Sequence, residues 1–536
     1  MSNPSFTTTP GDRRQEPTAA ESRAVAVVDV GTNAIRMEVA EIGPGGHVRP
    51  LANYSQPVQL GHDTFSIGEI RRATIEQCVR VLSLYRRALR EYQIDDSSHI
   101  RVVATSAVRE ARNRVSFTDR IYIATGLLVE PLDEAEVNRI TYLGMYQHLR
   151  GASPIAGGKS LIVEVGGGST ELLAVQDGDV TLANSYRLGS VRLRVALQPL
   201  HAGPAETRRM MEGQIHRTVE TIRDQVGTSG AQHLVALGGD VRFAATLLVP
   251  SWDRRQLVSL SLDRLTRITD QILAMRDDDL VQRYHLSYPD AETLGPALLT
   301  YVALARRLEL DEVWVSDVNM RDGMLHEMSL GDVWSGEFRQ QIIRFAVTLG
   351  RRFDFDESHA RHVAELAGRL FEQLHELHRL EAKHEVVLYV ASLLHEIGAY
   401  VNNRSLHKHS MYLIRHSELF GLGEKEQMLV ALVARYHRRA SPQPGHEGYS
   451  GLDREERIIV SKLAALLRIA IALDESRSGR VRDISCRIEE ERVVVYLEGV
   501  DDVALEQLAV RQHGGLFEEV FGKSVLLRRL DTGGGE

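Results

Sequence analysis

Leu161–Glu171 reads LIVEVGGGSTE: an apolar run carrying the carboxylate Glu164, then Gly166, Gly167 and Gly168, the hydroxyls Ser169 and Thr170, and a second carboxylate, Glu171. Glycines at such a place allow φ > 0 and let a ligand come close to main-chain N–H groups. A concave run of those donors suits phosphate oxygens. Glu164 and Glu171 cannot hold bare phosphate, so the pattern calls for a divalent cation or a positioned water between acid and anion. A glycine-rich turn in an ordinary hairpin would explain the triplet taken alone.

A second copy argues against that simpler explanation. Ala24–Ile42, AVAVVDVGTNAIRMEVAEI, repeats the order of apolar strand, carboxylate (Asp29), glycine, hydroxyl (Thr32, beside Asn33) and apolar strand. Aligning Asp29 with Glu164 sets the units 135 residues apart, about one domain length. Two related halves facing each other across a cleft would each supply a backbone cradle and an acid. Two more corners fit this scheme. The strand Ile100–Ala104 meets Thr105 and Ser106, which can cap a helix carrying Arg109. A surface arginine paired with Glu110 or Asp119 is the plainer reading there. The strand Leu234–Leu237 runs into Gly238, Gly239 and Asp240 ahead of another helix.

The elements that would position these groups follow from periodicity. Ser66–Tyr92 has helical spacing, and Leu127–Val129 reads as a strand. Asp133 is an expected N-cap for a helix through Met145, with Glu134 and Glu136 in its first turn, where acids complement the helix dipole. Gly151–Lys159 reads as the crossover to the second half, and Met320–Leu325 (MRDGML) as its end. From about Val333 the pattern is nearly all helical and rich in histidine; past Gly479 a strand, a helix and a strand form a small appendage. The expected division is a disordered tail (1–22), two α/β domains (23–150 and 151–332), a helical domain (333–480) and a small α+β module (481–536).

The whole chain bounds the chemistry. Its 536 residues exceed one hydrophobic core. With 43% hydrophobic and 26% charged residues it is ordinary for a soluble protein, and no apolar run of 18 residues suggests a membrane span. A polar N-terminus and only two cysteines, Cys78 and Cys486, favour a cytoplasmic protein without disulfides. A net charge of −9 argues against general nucleic-acid binding, so a polyanionic substrate would need a local basic groove.

DVGTNAIRMEVAEI, ATSAVREARN, VEVGGGSTELL, LGSVRL, ALGGDVRFAA and MRDGML occur in this order. Together they resemble the exopolyphosphatase / guanosine pentaphosphate phosphohydrolase family, in its long form. The resemblance implies two duplicated actin-like (sugar-kinase-like, ribonuclease H-like) α/β domains, then an all-α HD-like domain and a small α+β module. It implies hydrolysis of the terminal phosphate of inorganic polyphosphate or guanosine pentaphosphate with Mg2+ or Mn2+, in a homodimer. Thr32, Asn33, Gly166, Gly167, Gly168, Ser169, Thr170, Gly238, Gly239 and Arg109 would hold phosphates; Asp29, Glu164 and Glu171 would serve the metal or its waters. The family's base is the second of two adjacent glutamates, positions that fall here on Glu136 and Val137, leaving Glu136 as the expected base. Glu164 stands for the usual aspartate, and ALGGD for GTGGT, placing Asp240 at a hydroxyl position.

In the HD-like domain the resemblance offers a second metal set, His359, His395, Glu396 and Asp474, against a reading of those histidines as core or surface groups in a dimerisation domain. His407, Lys408, His409, Arg415, Arg435, His437, Arg438 and Arg439 form a basic cluster that either guides a polyanion or is a solvated face. Beside hydrolysis, the altered positions leave a second function open: a regulatory protein that binds polyphosphate or the nucleotide without cleaving it.

Overall fold

The computed structural model describes residues 22–150, 153–198, 204–227, 231–330, 336–438, 440–500 and 502–530. Nearly all of the expected N-terminal tail, the start of the crossover (151–152) and Arg439 lie outside them.

The first half is built on β1 (Arg23–Val30), β2 (Ala34–Ile42), β3 (Val48–Pro57), β4 (Ile100–Ala104) and β5 (Val129–Pro131), in the order β3-β2-β1-β4-β5. The second half uses β6 (Lys159–Val165), β7 (Thr170–Gln176), β8 (Asp179–Tyr186), β9 (His233–Leu237), β10 (Val258–Ser261) and β11 (Glu312–Val315), ordered β10-β11-β9-β6-β7-β8. Apart from the edge strand β10, the halves share one topology: an antiparallel three-strand meander continued by two parallel strands. The duplication extends to single bonds. Gly31 N–H donates to Ala34 O at 3.0 Å, and 135 positions later Gly166 N–H donates to Ser169 O at 2.9 Å.

The continuous apolar runs of β1 and β6 follow from burial on both faces. In β1, Ala26, Val28 and Val30 pack on the core that holds Leu82 and Leu89, while Val25 and Val27 meet Leu132, Val137, Ile140, Met324 and Leu325. In β6, Leu161, Val163 and Val165 pack with Leu298 and Tyr301, whereas Ile162 joins a core reaching Phe338 and Ile342 of the helical domain.

Several expectations shift on contact with tertiary structure. The helix anticipated over 66–92 is two, Leu60–Ile67 and Arg72–Glu91, because Gly68 ends the first at φ +77°. The strand expected at 127–129 is centred two residues later, as β5. The helix Met320–Leu330, which sequence assigned to the second half, returns to the first: Glu327 takes Arg139 at 2.6 Å and also pairs with Arg101. The helical domain begins with Gly336–Arg352 and ends with Arg454–Leu473. β12 (Ile484–Ile488), β13 (Arg492–Glu498) and β14 (Ser524–Leu530) follow, with β12 unforeseen, and Val495, Leu516 and Phe517 share one core with the helix Arg454–Leu473. Among the described residues no helix is long and apolar enough to cross a membrane.

Candidate active site

The two hairpins deliver their acids by the same register. Asp29 is penultimate in β1 and faces Arg36 across the β1/β2 ladder; Glu164 is penultimate in β6 and faces Glu171 across β6/β7. Cross-strand partners emerge on the same face of a sheet. Arg36 is thus the structural counterpart of Glu171, a pairing visible at the 135-residue offset but not used in reading the sequence.

Asp29 and Glu164 open onto one cavity of about 380 Å³, lined also by Thr32, Asn33, Gly166, Gly167, Gly238, Gly239 and Asp240. Three arginines missed as ligands, Arg36, Arg242 and Arg321, line it too. Arg321 lies 4.0 Å from Asp29 and 3.4 Å from Glu38. Burial raises the Asp29 pKa, opposed by Arg36 and Arg321, and raises that of Glu164, opposed by Arg242. Asp240, which accepts from Thr293 at 3.0 Å, is pushed by burial to about 6.

The glycine triplet is explained by close approach. None of Gly166, Gly167 and Gly168 has positive φ, contrary to the first expectation; Gly238, at φ +111°, does. A Cβ on Gly167 would fall 2.7 Å from Thr32, and one on Gly168 would fall 2.3 Å from Ser106 Oγ and 2.5 Å from the Phe65 ring. The backbone of one half is seated directly on the other. Arg192 secures it, donating to Gly168 O at 2.7 Å, stacking 4.1 Å over Phe65 and pairing with Glu110 at 2.5 Å.

Glu171 points among other groups. Its Oε1 accepts from Ser169 at 2.7 Å and Ser185 at 3.0 Å, while Oε2 is buried without a partner. Burial brings its pKa to about 7 against those two bonds, with Arg109 lowering and Glu134 raising it. Arg109, Glu134 and Ser185 line a second cavity of about 440 Å³, closed on its far side by Arg415, His416 and Glu418 of the helical domain. Arg109 donates to Leu132 O at 3.0 Å and lies 3.7 Å from Glu134; Glu110, its suggested surface partner, pairs with Arg187 and Arg192 instead.

Five residues expected in the cleft, Gly168, Ser169, Thr170, Glu171 and Glu136, line neither cavity. Thr170 is fully buried, its hydroxyl committed to Leu188 O, and Ser169 spends its own on Glu171. Glu136 lines neither cavity. Its carboxylate closes a capping box with the Asp133 N–H at 3.0 Å and lies against Gly423, where a Cβ would be 3.3 Å away. Burial takes its pKa to about 7. Val137 is core, 3% exposed. The acid that this helix turns to the cavity is Glu134.

The donors suit a hard cation. Asp29 Oδ1 is buried and unpaired, and Glu164 offers a second carboxylate to the same cavity. Among the described residues these acids do not form a preformed cage of three ligands. That is the arrangement Mg2+ prefers, with one or two carboxylates and the rest from substrate phosphate and water.

Comparison with known proteins agrees along most of the chain. The Ppx/GppA phosphatase family matches residues 38–331, and Ppx/GppA phosphatase, domain III, matches 343–512. A guanosine-5'-triphosphate,3'-diphosphate pyrophosphatase of Photobacterium profundum is 24% identical over 497 residues, covering 91% of this chain and 95% of that protein. One of the same name from Vibrio vulnificus is 25% identical over 470 residues, covering 86% and 88%. An exopolyphosphatase crystal structure from Cytophaga hutchinsonii superposes at TM-score 0.53 with 22% identity, covering 58% of this chain and 98% of its own; it shows the fold of the two α/β halves. With its duplicated hairpins, its shared cavity and its third, helical domain, the chain belongs to the Ppx/GppA phosphatase family.

Proposed function

We propose that this protein hydrolyses the terminal phosphoanhydride of inorganic polyphosphate or guanosine pentaphosphate in the cleft between its halves, with Mg2+ or Mn2+. The observation that carries this reading is the single cavity receiving Asp29 and Glu164 together with Arg36, Arg242 and Arg321. Amides of the Thr32, Gly167 and Gly239 loops hold phosphate oxygens, and the arginines balance a charge that the chain's overall −9 would repel. The cation, held by Asp29 and Glu164, would neutralise charge on the bridging and terminal phosphates. Glu171 takes the part first expected of Glu136. Its unpaired Oε2, buried and outside both cavities in this arrangement, would orient a water once the glycine loop yields to substrate, accepting its proton as the water oxygen bonds to phosphorus and the anhydride P–O bond breaks, the shortened chain leaving as phosphate oxyanion. A carboxyl pKa of about 7 suits a base working near neutrality.

The test is release of orthophosphate from long-chain polyphosphate and from guanosine pentaphosphate, with Mg2+ and with chelator. A second reading rests on Val137: the helix offers apolar core where the family carries its second glutamate. Under that reading the cleft binds without cleaving, and calorimetric binding with no phosphate released selects it. Assembly as a homodimer, checked by light scattering, is part of the same proposal.

A further inference from the structure

Apart from the cleft, one cluster of side chains in the helical domain has the makings of a ligand site. His359 lies in the first turn of the helix Glu357–Gln373, His395 caps the end of Lys383–Leu394, and His437 follows the end of Glu424–Arg435. All three are buried, at 5%, 1% and 5% exposure. Their rings converge, His359 to His395 at 5.8 Å and His395 to His437 at 5.1 Å between centroids.

The hydrogen bonds fix which nitrogen of each ring faces inward. His395 Nδ1 lies 2.7 Å from Ser392 O and His437 Nδ1 2.6 Å from Ala434 O. A carbonyl can only accept, so both Nδ1 atoms carry the proton. His359 Nδ1 is 2.8 Å from Asp474 Oδ2, and that carboxylate, which also takes the Gly479 N–H at 2.9 Å, fixes the same tautomer. In that tautomer the nitrogen left to face a ligand is Nε2 of each ring. In a core histidine that serves only packing, both nitrogens are normally satisfied. His395 Nε2 is instead sealed from solvent with no partner.

A carboxylate stands beside them. One ligand atom each from His359, His395 and Glu396 lie within 4.8 Å of one another, the only such group among the described residues. Glu396 is steadied by Arg477 at 2.7 and 2.8 Å, and Asp356, 3.6 Å from Arg477, shares that charge. Imidazoles whose outer N–H groups are tied to a carboxylate or a carbonyl are the usual surroundings of a metal ion.

We propose that the helical domain binds one divalent transition-metal ion, Zn2+ by the donor set, through Nε2 of His359, His395 and His437 and the carboxylate of Glu396. Asp474 is a positioning residue that orients His359. Three imidazoles and one carboxylate suit a borderline-soft ion and are a poor match for Mg2+, so this site and the cleft select different metals. Bonds of about 2.0–2.1 Å require His359, His395 and Glu396 to draw in by roughly an ångström, and His437, which lies outside their 4.8 Å group with its ring 5.1 Å from that of His395, to close further. Binding would tie the ends of three helices together.

The site stands independently of the cleft's activity, and so does its test. Full-length protein, stripped with chelator and dialysed against Zn2+ and then buffer, is expected to hold roughly one zinc per chain by mass spectrometry. Reloading with Co2+ is expected to give the visible absorption of a tetrahedral ion. Both signals should survive Asp29→Asn and Glu164→Gln and fall at least tenfold in His395→Gln and His437→Gln. Because His395 is buried, circular dichroism of each variant accompanies the measurement, and Glu396→Gln, which preserves shape, serves as the third. Wild-type protein with no stoichiometric zinc and no cobalt band overturns the proposal. So does metal that persists in all three variants, or that departs with Asp29→Asn.

Discussion

Glu171→Gln separates the function of that acid from its cost to stability. In the unfolded chain the carboxyl titrates at the ordinary 4.5, and in the folded protein burial moves it to about 7. A raised carboxyl pKa means the folded state binds more protons between these values, so stability declines as pH climbs from about 4.5 towards 7. Integrating over pH 5 to 8, wild type should lose roughly 2.5 kcal/mol that the uncharged variant does not. The variant has its own penalty, because an amide placed where Oε2 lies is a buried donor without an acceptor, at about 1–3 kcal/mol. That penalty is independent of pH, so the difference in slope between the proteins isolates the ionisation. Urea unfolding from pH 5 to 8.5 in chelator measures it, since Glu136 and Glu418, also near 7, are common to both. Phosphate release should fall at least a hundredfold in the same variant. Parallel stability curves would refute the buried, strained carboxylate; full activity would refute its role as base.

Glu136→Gln should cost about 1 kcal/mol of thermal stability through a weakened capping box, with phosphate release within about twofold of wild type. A collapse of activity would restore Glu136 as the base. Gly168→Ala drives a methyl into Ser106 and Phe65 across the cleft. At about 1–3 kcal/mol for overpacking, closure should weaken roughly 5- to 150-fold, read as lost kcat with melting temperature nearly unchanged, because opening the halves relieves the clash. Arg321→Gln strands Glu38, which is 6% exposed, and should destabilise by about 3–5 kcal/mol, measured by denaturant unfolding at pH 7.

The sequence revealed the halves because their hairpins are local. A carboxylate one residue before a strand's end, a glycine turn and a hydroxyl survive as a readable string, and the 135-residue repeat set the two acids face to face. Glu136 lies away from both cavities for a reason a linear string hides. Asp133 and Glu136 suit both the family's acidic helix start and a capping box, and the capping bond to the Asp133 N–H, with Gly423 of the helical domain against Glu136, sets which way the carboxylate turns. Arg36, Arg242 and Arg321 were invisible as a set because they come from three distant segments, and Ser185 because its role is to hold Glu171 across a strand. The glycine triplet was recognised, but the physical demand behind it lies in the opposite half.

Asp133 shows how tightly the third domain is joined to this machinery. Its Oδ1 accepts from Glu136 N–H at 2.8 Å, capping the helix that carries Glu134, while Oδ2 takes Glu424 N–H at 2.5 Å at the start of a helix in the third domain. One carboxylate thus serves two helix N-termini from different domains, each favouring negative charge. Glu134 projects from the first of those helices beside Arg109, and Arg415, His416 and Glu418 precede the second around the same cavity. A displacement of the helical domain by even an ångström would therefore pull on the cap of the helix bearing Glu134. The second cavity's shape is set by all three domains at once. On this geometry the helical domain completes the wall of a cavity whose other sides carry Arg109 and Glu134 from the first half and Ser185 from the second.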